Sequence, residues 1–166
     1  MAKLIKDRSL VNDDWVWIQE VTDLQAVLQD DRDLILPLPF WLAHREQLRG
    51  RLTRKAVWLA SHELPEQLGE DVQGFDLIAL HFPVFSDGRP YSSARELRQR
   101  LAFQGELRAV GDVLRDQLFY MSRCGFDAFA LRDDQNPDYA LTAFDDFREG
   151  YQSSVDRPAP LFRRRS

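Results

Sequence analysis

Short apolar runs alternate with longer amphipathic stretches along this chain. Residues 34–36, 56–60, 77–80, 107–110 and 128–131 are too brief for helices and are mostly followed by turn or cap residues, so they predict short buried strands. Between and after them, residues 40–49, 65–72, 93–103, 113–124 and 139–151 carry apolar positions at helical spacing. Ala94, Leu97 and Leu101 share one such face, and Leu114, Leu118 and Met121 another. Five consecutive strand–helix units predict an α/β fold with a mainly parallel sheet. Two architectures suit that rhythm: an open doubly wound sheet, or a partial barrel whose units curve without closing. A closed eight-stranded barrel usually takes about 250 residues, more than the 166 present.

Residues 4–21 depart from the rhythm, alternating around Trp15, Val16, Trp17 and Ile18, and predict a hairpin or edge element within an N-terminal β element, residues 1–22. Residues 1–157 form the expected single α/β domain. At the other end Pro158, Ala159, Pro160 and Arg163 to Arg165 predict a flexible tail over residues 158–166, read as solvated or as a basic docking segment.

In either architecture, ligands gather at loops following the carboxyl ends of strands. The loop after Leu80 contains Asp87-Gly88, a tight-turn signal, and Ser93 with Glu96 matches a capping box that would open the next helix. A helix N-terminus offers free N–H groups and a partial positive charge, so Arg89, Ser92 and Arg95 around it predict an anion site. The bland alternative pairs those arginines with nearby carboxylates. After Val110 come Gly111, which permits a sharp exit, and Asp112, a natural N-cap, with Arg115 a turn further on. Arg108 and Arg115 would extend Arg89 into a cationic cluster.

The loop after Ala60 brings His62 to a strand end, and His81 follows the next strand. Both are weaker candidates, for base or ligand roles. With three histidines, no HExxH and no Cys/His cluster, no metal site is expected. Cys124, followed by Gly125 as a helix C′ residue, reads as buried and inert. GxGxxG, GxxxxGK[ST] and GxSxG are all missing, so no motif identifies a cofactor.

Composition narrows the classes. A formal charge of -5 disfavours nucleic acid as a partner. A lone cysteine excludes a disulfide framework, and the start of the chain has no signal-peptide core. No apolar run reaches the roughly 20 residues that span a bilayer. A cytoplasmic setting without membrane partners is the expectation, with an exposed patch of Trp15, Trp17 and Trp41 as the sign of a homo-oligomer.

The run FPVFSDGRPYSSARELRQRLAFQGELRAVGDVLRDQLFYMSRCGFDAF, with the opening LIKDRSLVNDDWVW, resembles a bacterial family of unknown function whose genes commonly lie beside the assimilatory sulfite reductase hemoprotein gene. Phe82, Asp87, Gly88, Arg89, Gly111, Asp112 and Arg123 to Asp127 fit its pattern, whereas the prolines between Leu34 and Phe40 depart from it. The resemblance implies a role in sulfur assimilation and sometimes carries an oxidoreductase label. Six-electron sulfite reduction needs a siroheme coupled to an iron–sulfur cluster that takes several thiolates, which one cysteine cannot supply. The expectation is therefore an accessory factor of the hemoprotein subunit with an anion-binding crevice. The alternative is a small enzyme acting on an anionic small molecule in the same crevice.

Overall fold

The computed structural model describes residues 3–145. Among them, eight strands form one sheet, in the order β2-β1-β8-β7-β6-β5-β4-β3. Strands β1 (Lys3–Lys6) and β2 (Ser9–Asn12) form an antiparallel hairpin, turned by Asp7 and Arg8, both at positive φ. β3 (Val16–Trp17) leads through α1 (Leu24–Gln29) to β4 (Leu34–Pro37), and α2 (Leu38–Arg49) leads on to β5 (Ala56–Leu59). A 3-10 segment, Pro65–Gly74, precedes β6 (Leu77–Phe82). Helix α3 (Arg89–Arg95) runs into a π turn, Glu96–Arg100, before β7 (Glu106–Gly111). A 3-10 turn, Arg115–Gln117, opens α4 (Leu118–Cys124), which is followed by β8 (Ala128–Phe129) and α5 (Pro137–Leu141).

All five strands expected from the apolar runs are present. From β3 to β8 each strand pairs in parallel with the next in sequence, whereas β1 pairs antiparallel with both β2 and β8. The sheet is therefore mixed, not mainly parallel: the N-terminal hairpin closes over the β8 edge, and a two-residue turn can only return a strand antiparallel. The order never reverses along the parallel run, so there is no switch point of the doubly wound kind. Each crossover steps the same way, and the sheet curls into a half-barrel.

That stepping segregates the two faces. One face packs under the helices, with Ile78, Leu80, Phe82, Leu107 and Ala109 in one cluster with Trp41, Leu48, Leu97, Leu118 and Met121. The other holds Ile35, Ala56, Leu77, Ala79 and Val110 with Trp15, and among the described residues no helical one belongs to it. Trp15 and Trp41 are both buried and lie in different clusters, so the expected exposed tryptophan patch does not form.

Several helix starts differ from the periodicity. Helix α3 starts at Arg89, four residues before Ser93, with Pro90 in its first turn, and Glu96 bonds Arg100, so Ser93 and Glu96 make no capping box. Fixed at φ near −65° and lacking an N–H, proline suits the first helical turn better than the serine does. Pro37 and Pro39 likewise serve the start of α2. Asp112 caps no helix: it lies in a bend, and the next helical turn starts only at Arg115, after an extended Leu114. Gly125 ends α4 in the left-handed region, as its sequence position predicts. The helix expected over residues 139–151 is observed only as α5 and the 3-10 turn Thr142–Phe144, and its remainder and the tail lie outside the described residues.

Candidate functional site

The uncovered face of the half-barrel is built in layers set by register. Trp17, Ile35, Ala56, Leu77 and Glu106 lie level across β3 to β7, with Pro37, Trp58, Ala79, Arg108 and Ala128 two residues further on. His81 and Val110 form the next layer. The alanines leave room that large neighbours take up. Trp17 and Trp58 meet edge-on at 5.8 Å, and the His81 ring lies 5.6 Å from Trp17 and 5.5 Å from Trp58. Trp58 donates Nε1 to the Ile18 carbonyl at 2.9 Å, while Nε1 of Trp17 is shut off from solvent with no partner. Burial pulls the His81 pKa below its ordinary value, so the imidazole is neutral at neutral pH.

In the same layer as Trp58, Arg108 is 2% exposed. It donates Nε to Glu106 Oε2 at 2.8 Å and Nη1 to Asp13 Oδ1 at 3.0 Å, and Lys6 Nζ lies 3.1 Å from Glu106 Oε1. A buried guanidinium needs such partners, and this network ties β7 to β1 and to the segment before β3.

The carboxyl ends of the strands are stitched together by carboxylates. Gly111 has φ +97, and a Cβ there would stand 2.5 Å from the Phe82 carbonyl oxygen and 2.7 Å from His81 Cδ2. Only glycine permits that approach and that backbone angle together. The next amide, Asp112, donates to the Phe82 carbonyl at 2.8 Å. The Asp112 carboxylate accepts from the Phe85 amide at 2.6 Å and from Arg132 Nη1 at 2.7 Å, and Arg132 also clasps Asp134. Asp87 accepts from Arg89 Nε at 3.0 Å and Nη2 at 2.8 Å, and from the Ser61 hydroxyl. The Arg89 guanidinium thereby holds the Asp87 carboxyl well below the usual carboxylate range.

Thus Arg89, Gly111, Asp112 and His81 share the rim formed by the ends of β6 and β7. The other arginines go elsewhere. Arg95 bonds the Tyr120 hydroxyl and lies 5.7 Å from its ring, with Ser92 exposed on the same helix. Arg115 bonds Thr142 Oγ1 at 2.7 Å and lies 4.4 Å over the Tyr139 ring, and Arg108 belongs to the uncovered face. His62 is exposed in the turn after β5. Arg132 escaped the sequence reading, although its position just past the fifth apolar run is where a rim residue belongs.

The rim also exposes Val84 and Phe85 between these polar groups. Among the described residues, no group of three His, Cys, Asp or Glu side chains could hold a metal ion, and no helix is long and apolar enough to cross a membrane.

The molecule is therefore an α/β half-barrel with a charged, partly apolar rim at its strand ends and an aromatic uncovered face. Residues 56–162 match the family described as bacterial protein of unknown function (DUF934), and the chain belongs to that family. The match takes in β5 to β8 and with them Trp58, His81, Arg89, Gly111, Asp112 and Arg132, but not Trp17. None of the curated proteins compared with the chain matches it.

Proposed function

We propose that the protein is a cytoplasmic accessory factor in assimilatory sulfite reduction, and that it acts by docking on the hemoprotein subunit. The resemblance of its central segment supplies the pathway. One buried cysteine leaves the chain without the thiolates that a cluster of its own would need.

The observation that carries the docking role is Phe85, 47% exposed yet held by its amide on Asp112, in a loop that also carries Arg89. Interface centres are enriched in aromatic residues and arginine, and an apolar group fixed in advance loses little entropy on binding. Arg89 and Arg132 side chains are 61% and 43% exposed. They can therefore exchange their internal carboxylates for acidic groups of the partner or for an oxyanion, which makes this rim the anion-binding crevice.

Gentle low-salt co-purification with the hemoprotein subunit tests the role. Co-elution that is lost in the F85S/R89A double variant is expected, and clean separate elution at micromolar concentration overturns it.

His81 favours a second reading, a small enzyme acting on an anionic molecule in the same crevice. A neutral imidazole at the strand ends is suited to accept a proton. Under this reading sulfite, sulfate or a phosphorylated compound raises the melting temperature by linkage. A flat response across that panel, unchanged in Arg89→Ala, removes it.

A further inference from the structure

A second site lies at the opposite, amino-terminal ends of β4 and β5. Here a cavity of about 200 Å³ is lined in part by Leu28, Asp30, Asp31, Arg51, Leu52 and Thr53. Arg51 is only 8% exposed, and its Nη2 donates to the carbonyls of Asp30 at 2.8 Å and Arg32 at 2.9 Å. No carboxylate forms an ion pair with it among the described residues, and its Nε has no acceptor. The hydroxyl of Thr53 is likewise buried without a partner.

Buried charges are ordinarily paired, and buried polar atoms ordinarily bonded. Two orphaned groups on residues that line one cavity, each just beneath its wall, mark a missing acceptor. Lys55 cannot supply it, because an ammonium has no acceptor, and its protons go to the backbone carbonyls of Arg51 and Thr53.

The surroundings select the ligand. A guanidinium edge matches a planar carboxylate, and a hydroxyl adds one more donor. Asp30 is clasped by Arg32, which leaves Asp31 on the same cavity to repel a multiply charged anion and to welcome an ammonium group. Leu28 and Leu52 offer a short apolar surface, and the volume lies below that of drug-sized pockets.

We propose that this cavity binds a small monocarboxylate, with its carboxylate on Arg51 Nε and Thr53 Oγ1. A zwitterion such as a small α-amino acid adds its ammonium on the Asp31 side. Both donor atoms are shut off from solvent, so binding displaces the tip of the loop at Leu52. That side chain is wholly exposed, at 103%, and its displacement gives up little buried area.

Titration calorimetry on the full chain with L-alanine, propionate and sulfate tests the site. Binding of L-alanine or propionate is expected, about tenfold weaker in Thr53→Val, which removes one hydrogen bond to a charged group, and weaker in Arg51→Lys, which loses the planar fork. Leu28→Trp fills the cavity while keeping both donors. It decides the matter if Arg51→Lys does not fold, and must abolish binding with the circular dichroism unchanged. Sulfate binding more tightly than propionate, heats unaffected by Thr53→Val, or no heat from either carboxylate at millimolar concentration overturns the proposal.

Discussion

Arg108 on β7 donates Nη1 to Asp13 Oδ1 at 3.0 Å, across 95 positions of sequence. Asp13 also accepts from the Trp15 amide at 3.1 Å, so one carboxylate both neutralises a buried guanidinium and shapes the approach to β3. In Asp13→Ala, Arg108 keeps Glu106 as its counter-charge. The cost is therefore smaller than the roughly 3–5 kcal/mol of a fully orphaned buried charge, and about 2 kcal/mol is expected. Urea unfolding checks it, and an unchanged midpoint would mean that Glu106 alone satisfies Arg108.

The Gly111 backbone predicts a larger local effect. Gly111→Ala must bear a non-glycine residue at φ +97, with its Cβ pressed on the Phe82 carbonyl and on His81. The backbone alone costs about 1–3 kcal/mol. Relief of the clash pushes the His81 ring against Trp17 and Trp58, so tryptophan fluorescence is expected to change along with the melting temperature. A fall in stability with an unaltered spectrum would mean that the strain is absorbed elsewhere.

The strands were legible because their apolar runs are short and bounded, and because burial on both faces suppresses alternation in a strand such as 77–80. The sheet's hand of closure was not. Whether β1 adds to the β8 edge or elsewhere depends on contacts such as Lys6 with Glu106, which no local pattern encodes. One helix start failed where Pro90 outcompeted Ser93, and another because the Asp112 carboxylate is taken by the Phe85 amide and Arg132. The rim was half legible: Gly111 and Arg89 stood out through turn chemistry. Arg132 did not, since its importance comes from reaching across to Asp112. Side-chain partners also separated Arg95 and Arg115 from the rim, although sequence spacing grouped them with it.

His81 predicts a pH dependence with a definite sign. Burial holds its folded pKa below the ordinary value of 6.5, so just below pH 6.5 the unfolded chain binds a proton that the folded chain lacks. Stability is therefore unaffected well above pH 6.5, falls as the pH drops through it, and levels off below the folded pKa. Asp30, pulled down to about 2 by its hydrogen bonds to Arg32, contributes only at lower pH, below the ordinary carboxylate value of 3.8. Chemical denaturation between about pH 5 and about pH 8 isolates the histidine. His81→Phe is expected to lose the slope, and a slope retained in that variant would assign it to another group.

Asp112 tethers the rim loop to the end of β7 through one side chain. Its carboxylate holds the Phe85 amide and Arg132, and both partners are solvent-facing. Asp112→Ala therefore exposes these groups to water instead of burying them unpaired, and the expected loss is only about 1 kcal/mol. The effect on order is larger than the effect on stability. Residues 83–88 lose their tether to β7, while β6 and β7 keep their backbone ladder. Amide exchange is expected to quicken across 83–88 with the strand protection unchanged, because local opening has its own free energy, distinct from global unfolding. In the same variant the proposed docking through Phe85 is expected to weaken, since the loop must then be ordered as it binds. Unchanged exchange at Phe85 would show that the loop is held by its own turn, at Asp87 with Arg89, and not by Asp112.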